Sequence, residues 1–409
     1  MSREPETPRV LAHDSGFPHD HYGQDANLLQ QEHPLWKMDR MVLHSVGIDI
    51  GSSTSHLIFS ALEMRRQSAA LSSRFELVDR RITYASPVML TPFKDGISLD
   101  VDKLSGFFAD AYREAGLTAA EIDTGAVITT GDAARKDNAA AVVAMFSRES
   151  GKFVCASAGP LLEAKMAAYG AGAVARSGAG DTPITVMNID VGGGTSKIAI
   201  LRGGKIVETT AMNVGARLIT FDANGILTKI ENAAAIVARH KGWTLEVGKL
   251  VSPEIRTEMA RLLADALMNM VARGPQSPLT RDLMITGALT CPDKIDVVIF
   301  SGGVSEYVYG HQTQEFGDLG VHLAKRLREQ VSAHLPGAVL EEPVQGIRAT
   351  VIGASQFTAQ LSGNTIYIGN HDLLPLRNIQ VVTTDFDEAD LSASGIAKKI
   401  RESLERHEV

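Results

Sequence analysis

One pattern occurs twice in this chain, and the repeat limits what it can fold into. Ile184 to Arg202 reads ITVMNIDVGGGTSKIAILR, a strand, a tight glycine turn and a second strand. Ile184, Val186 and Ile189 have the β-branched, apolar character of a buried strand, and Ser196 to Leu201 resumes it. Gly203-Gly204 then reads as a two-residue hairpin turn. Between the strands stand Asp190, Gly192, Gly193, Gly194 and Thr195. Glycines lack a Cβ, so the turn lets backbone N–H groups approach an anion closely. Asp190 at the strand end puts a carboxylate where a hydrated divalent cation would sit. Taken alone, this reads almost as well as an ordinary glycine-rich hairpin. But Val46 to Ser60, VGIDIGSSTSHLIFS, repeats it: Ile48, Asp49, Gly51, Thr54 and Ser55 match Ile189, Asp190, Gly192, Thr195 and Ser196 at the same spacing. A duplicated unit is the reading that follows. Two such turns facing each other would grip a polyphosphate from both sides. Two carboxylates beside a phosphate chain repel it unless a cation sits between, which brings in Mg²⁺ by charge balance.

A length of 409 residues suggests two to three domains, and 44% hydrophobic content supplies a sizeable core. The net charge of −8 gives no reason to expect nucleic acid or an anionic membrane as partner. No apolar run is long enough to span a bilayer, and the polar start MSREPETPRVLAHDSG lacks a secretory h-region. Cys155 and Cys291 show no CxxC spacing and read as incidental thiols of a reducing compartment. These features point to the cytoplasm.

In order, residues 1–45 read as a flexible polar arm; His19 and His21 within it lack a second ligand pair, so a solvated tail is favoured over a metal site. Residues 46–172 form a first lobe. It contains an edge strand over Phe75–Thr83, an amphipathic helix over Asp102–Ala115 closed by Gly116, a buried strand GAVITT and a helix over Asn138–Ser150. The small-residue stretch SAGPLLEAKMAAYGAG, Ser157 to Gly172, starts a helix at Pro160 and crosses between the halves. Glu163 within it reads two ways: it polarises an attacking water, or it is a surface glutamate in a first helical turn. Residues 173–363 form the second lobe, with a helical insertion about 225–290 that includes helices over Ile226–Gly242 and Pro253–Gly274. A strand VVIF then runs into Ser301-Gly302-Gly303, where a flat base or ribose can lie against backbone. A second small-residue helix, Ala349 to Leu361, is placed to meet the first crossing helix. Residues 364–409 carry strands over Thr365–Ile368 and Ile379–Thr383 and a last helix with Ile396, Ile400 and Leu404 in a stripe.

The motif order DIGSSTS, connecting helix, DVGGGTS, SGG, connecting helix resembles the actin-like ATPase superfamily of sugar kinases, heat-shock chaperones and actin. The resemblance implies an α/β fold of duplicated ribonuclease H-like domains: mixed five-stranded sheets flanked by helices, with smaller inserted lobes. It implies ATP and Mg²⁺ as cofactors. By that resemblance Gly51, Ser52, Ser53 and Thr54, with Gly192, Gly193, Gly194 and Thr195, hold phosphates; Gly302 and Gly303 border adenosine; Asp49 and Asp190 orient the metal. Within the superfamily, SVGIDIGSSTSHLIFS, YASPVMLTPF, FVCASAGPLLE, NIDVGGGTSKIAIL, FSGGVSE and RATVIGASQFTAQLSG are similar to the ethanolamine ammonia-lyase reactivating factors. That implies a chaperone-like ATPase whose partner is ethanolamine ammonia-lyase. ATP binding and hydrolysis expel a damaged cobalamin so that adenosylcobalamin can enter, in the setting of ethanolamine catabolism and a bacterial microcompartment. The resemblance leaves homo-oligomerisation open. It also implies a longer C-terminal segment than this chain has, and a catalytic lysine for which Lys94 and Lys103 are unsupported candidates. Two other readings stay open: a small-molecule kinase of the same superfamily, and an actin-like scaffold that polymerises on ATP.

Overall fold

The structure, a computed structural model, describes residues 40–51, 53–66, 74–94, 98–129, 142, 154–157, 159–180, 182–357, 361–362 and 392–406. Three antiparallel strands open the first lobe: β1 (Arg40–Ile50), β2 (Thr54–Arg66) and β3 (Arg74–Ala85). β1 starts at Arg40, ahead of the Val46 that the apolar run suggests. Helix α1 (Val101–Ala115) follows, begun by Asp100, whose side chain accepts from the Lys103 N–H, and ended by Gly116 at φ 67°. Its buried Leu104, Phe108 and Ala111 seal one face of the sheet. β4 (Thr124–Thr129) pairs parallel with β1, and β5 (Val154–Ser157) pairs parallel with β4. Every residue of β4 is buried, as expected of a central strand covered on both faces.

Helix α2 (Pro160–Gly170) leads into the second lobe, where the same plan recurs. β6 (Thr185–Val191), β7 (Ser196–Arg202) and β8 (Lys205–Met212) are antiparallel neighbours, and β9 (Val297–Ser301) and β10 (Val339–Glu341) extend the sheet in parallel from β6. The first sheet runs β3-β2-β1-β4-β5 and the second β8-β7-β6-β9-β10: one topology, twice. The duplication inferred from two short motifs therefore extends to whole sheets. The first sheet has seven strands rather than five, because Met89–Leu90 pairs with β2 and Leu361–Ser362 with β3.

Between β8 and β9 sits the insertion. The helix expected from Ile226 begins only at Asn232; Leu227–Ile230 instead pairs antiparallel with Ile219–Phe221. Helix α3 (Pro253–Val271), capped by the Ser252 hydroxyl, packs against α4 (Gly320–His334) and fills the larger hydrophobic core. Helix α5 (Ala349–Phe357) follows in the chain. The helix expected over Asn138–Ser150, apart from Val142, and the strands expected over Thr365–Ile368 and Ile379–Thr383 lie outside the described residues; Ala393–Arg406 is helical as its stripe suggests.

The two connecting helices change sides. α2 follows the first sheet yet packs on β6, β7 and β8, while α5 follows the second sheet and packs on β1, β2 and β4. They cross where small residues let backbones touch. A Cβ on Gly170 would collide with the Ala349 carbonyl, and one on Gly353 with the Met166 carbonyl. Gly106 of α1, by contrast, has open space where its Cβ would go. The two sites predict opposite signs for the same substitution. Gly353→Ala is expected to lower stability by about 1–3 kcal/mol, since the obstacle is backbone. Gly106→Ala is expected to raise it by roughly 0.5–1 kcal/mol. Urea denaturation of the two variants checks both signs.

Candidate nucleotide site

The two DxG turns have the same geometry. Gly51 N–H donates to the Thr54 carbonyl at 2.9 Å, and Gly192 N–H to the Thr195 carbonyl at 3.0 Å. Equivalent serines lock each turn to a third segment. Ser55 Oγ lies 2.9 Å from Thr91 Oγ1, which donates onward to the Gly51 carbonyl at 2.6 Å. Ser196 Oγ donates to the Val214 carbonyl at 2.7 Å. The Asn213–Arg217 turn then reaches the glycines directly: Ala216 N–H donates to the Gly192 carbonyl at 3.1 Å and Arg217 N–H to that of Gly193 at 2.6 Å.

These turns face each other across one cavity of about 390 Å³, a size suited to a small ligand. Its wall includes Asp49, Gly51, Ser53 and Thr54 from the first lobe and Asp190, Gly192, Gly193, Gly194 and Thr195 from the second. Gly302 and Gly303 line it as well. The tips meet closely enough that a Cβ on Gly193 would overlap Ser53 Oγ. Gly302 sits at φ 81°, and a Cβ there would strike the Val191 carbonyl, so this strand end admits little but glycine. Ser52 lies outside the described residues.

Charge at the floor of the cavity is arranged around Lys197, on β7 directly across from Asp190. Its ammonium lies 2.5 Å from Glu163 Oε2. Burial alone would lower its pKa, but Glu163 and Asp190, with a smaller contribution from Asp49, push it above the usual lysine value. Asp190 is shifted upward by burial, opposed by Lys197 and by Ser301, whose hydroxyl donates to Asp190 Oδ1 at 2.8 Å. Glu163 is thus no surface glutamate: it is 5% exposed and stands behind Lys197, which itself lines the cavity. Neither Lys94 nor Lys103 lines the cavity; both are exposed, and Lys103 pairs with Asp100 at 3.3 Å. Lys197 was missed because SKIAIL reads as a buried apolar strand; a lysine inside such a strand was the available signal.

Three carboxylates around one ammonium leave net negative charge beside glycine turns that present N–H groups. Among the described residues no group of three or more His, Cys, Asp and Glu is arranged to hold a metal ion by itself. Mg²⁺ characteristically keeps several waters and binds through one or two carboxylates plus phosphate oxygens. Asp49 and Asp190 fit that mode, and the Cβ-free cradle fits the phosphates. No helix among the described residues is long and apolar enough to cross a membrane.

The family model of the ethanolamine utilisation protein EutA matches residues 41–409. The chain belongs to this family. The ethanolamine ammonia-lyase reactivase EutA of Salmonella typhimurium is 38% identical over 359 residues, covering 87% of this chain and 75% of that protein. The protein of the same name from Escherichia coli K12 is 37% identical with the same coverage. Among solved structures, an Aquifex aeolicus PPX-GPPA enzyme is similar at 13% identity and a TM-score of 0.44, covering 76% of this chain and 99% of that one.

In this EutA family member the buried ion cluster makes a direct prediction. Lys197→Met strands two buried carboxylates and is expected to lower stability by about 3–5 kcal/mol. Adding Glu163→Gln to that variant is expected to restore part of the loss, a coupling that a double-mutant cycle by chemical denaturation measures.

Proposed function

We propose that this chain is a chaperone-like, ATP-dependent reactivating factor for ethanolamine ammonia-lyase, releasing a damaged cobalamin so that adenosylcobalamin can rebind. The observation that carries the nucleotide part is one cavity lined by both DxG turns and the SGG strand end. The partner and the outcome rest on membership of the EutA family and on relatives named ethanolamine ammonia-lyase reactivase.

On this reading the turns closed by Gly51 and Gly192 bind the phosphates from opposite lobes, through the backbone N–H groups of Ser53 and of Gly193 to Thr195. Asp49 and Asp190 hold a hydrated Mg²⁺, which supplies charge neutralisation on the polyphosphate. Lys197 fixes the Asp190 carboxylate and faces the cavity as a second cation. Glu163 acts through Lys197 as a positioning residue rather than touching water itself. Gly302 and Gly303 leave room for adenosine. Loss of the terminal phosphate removes the group the two turns share. The lobes then prefer a different separation, and that differential affinity performs work on the partner.

The test is incubation of inactivated ethanolamine ammonia-lyase with the chain, ATP, Mg²⁺ and adenosylcobalamin, scoring recovered lyase activity. Wild type is expected to restore activity only when ATP is present. Asp190→Asn is expected to reduce recovery by about a hundredfold or more through misplaced phosphates while circular dichroism stays unchanged. Full recovery by Asp190→Asn would remove Asp190 from the mechanism.

A further inference from the structure

The duplicated hairpins place one side chain each at the same point of the cavity wall. Lys197 on β7 stands across from Asp190, and His56 on β2 stands across from Asp49. Lys197 is locked to Glu163. Among the described residues His56 has no such lock: it is 2% exposed, lines the cavity, and neither ring nitrogen has a hydrogen-bond partner among them. Burial, followed by the nearby Arg348 charge, pushes its pKa down to about 3.

A neutral imidazole carries one N–H donor and one bare acceptor nitrogen. Buried polar groups are nearly always partnered, and an exception calls for a cause. Here the neighbouring strand residues offer none, since Leu57 and Ile58 are apolar and fully buried and the Ser55 hydroxyl is engaged with Thr91. An aliphatic side chain would serve the core better. The orphan faces a cavity that a second buried, unpartnered group among the described residues also lines, Ser53 Oγ, and it too belongs to the first lobe. Two unused polar groups on one wall, opposite an ammonium on the other, ask for an oxygen-rich anion between them.

We infer that His56 is a phosphate-binding residue of the nucleotide site, donating its ring N–H to a phosphate oxygen from the side opposite Lys197. The inference rests on the nucleotide reading above and deepens it. The two lobes then hold the polyphosphate by unlike means: a ring N–H donor from the first, a fixed ammonium from the second. The duplication is functionally asymmetric at one matched position.

Calorimetric titration of the full chain with ADP and with a non-hydrolysable ATP analogue, each with Mg²⁺, tests it beside thermal denaturation. His56→Leu is expected to bind at least one of the two nucleotides about tenfold more weakly, a change of about 1.4 kcal/mol. Its nucleotide-free melting temperature is expected to equal or exceed the wild-type value, because a buried orphan has been removed. His56→Gln, which keeps an N–H donor, is expected to recover part of the affinity. In the wild type, imidazole ¹⁵N resonances assigned to His56 are expected to shift on nucleotide addition, a readout that stands even where His56→Leu fails to fold. Unshifted resonances, or unchanged nucleotide affinity in a folded His56→Leu, overturn the inference. Absence of any binding heat from the wild type overturns the nucleotide reading itself, and this inference with it.

Discussion

The structure depends on keeping one ammonium charged where there is no water. An isolated buried lysine ordinarily gives up its proton, because desolvation penalises the charged form. Lys197 keeps it because Glu163, Asp190 and Asp49 arrive from three separate elements. Glu163 comes on α2, Asp190 on β6 and Asp49 on β1 of the other lobe. Withdrawing Lys197 from them strands buried carboxylates in a low-dielectric setting, which is worse than never having buried the pair. The ion cluster therefore specifies where the connecting helix lies on the second sheet. It also makes the distance between the lobes an electrostatic quantity. Ser301 adds a neutral restraint: its hydroxyl holds Asp190 and itself accepts from Asn188 Nδ2 at 3.2 Å. The SGG strand end, the DxG turn and the connecting helix are thus one polar network beneath the cavity.

The duplication shows which parts of such a hairpin are fixed by physics and which are free. The DxG turn is reproduced to within 0.1 Å in its closing hydrogen bond, 2.9 against 3.0 Å, although the residues between differ. The serine after each turn keeps its bracing role. What changes is the brace itself, a short strand in one lobe and the Asn213–Arg217 turn in the other, and the residue facing the aspartate across the hairpin. Turn geometry constrains the backbone, so it persists. The facing position constrains only the charge at the cavity floor, so it has diverged to histidine in one half and lysine in the other.

Much of this was legible in the chain itself. β-Branched runs located β1, β4, β6 and β9, glycine and proline punctuation located α1 and α2, and a run of small residues located α5, because these signals are local. Both aspartates and all the described glycines singled out for the site line one cavity. What was not legible depended on pairing across distance. Met89–Leu90 and Leu361–Ser362 are two-residue strands that exist only because an edge of the first sheet accepts them. The second strand of the hairpin at Ile219–Phe221 and Leu227–Ile230 hid inside a stretch with helical composition. Lys197 and His56 escaped notice since which face of a strand is inside follows from its neighbours, and the neighbours are far away in sequence. Glu163 and Lys197 are a single feature, yet neither residue alone announces it.

The helix exchange explains how a cleft so tightly closed at its tips can still work as a hinge. The lobes touch at the turn tips, where Ser53 meets Gly193, and at the crossing of α2 and α5, where backbones are in contact at Gly170 and Gly353. The crossing has no side-chain layer to compress, and α5 is tied to the first lobe by Arg80, which donates to the Ile352 carbonyl at 3.2 Å, and by Arg348, which donates to the Ser86 carbonyl at 2.8 Å. The tip contact, by contrast, is a serine hydroxyl with no hydrogen-bond partner resting against glycine. A packed backbone crossing resists sliding, while an unbonded hydroxyl resists little. Any change in lobe separation is therefore taken up first at the tips, on either side of the cavity. The softest contact between the halves is also the one a terminal phosphate would feel most directly. On the proposed reading, presence or loss of that phosphate is converted into rotation about the helix pair rather than into disorder of either sheet.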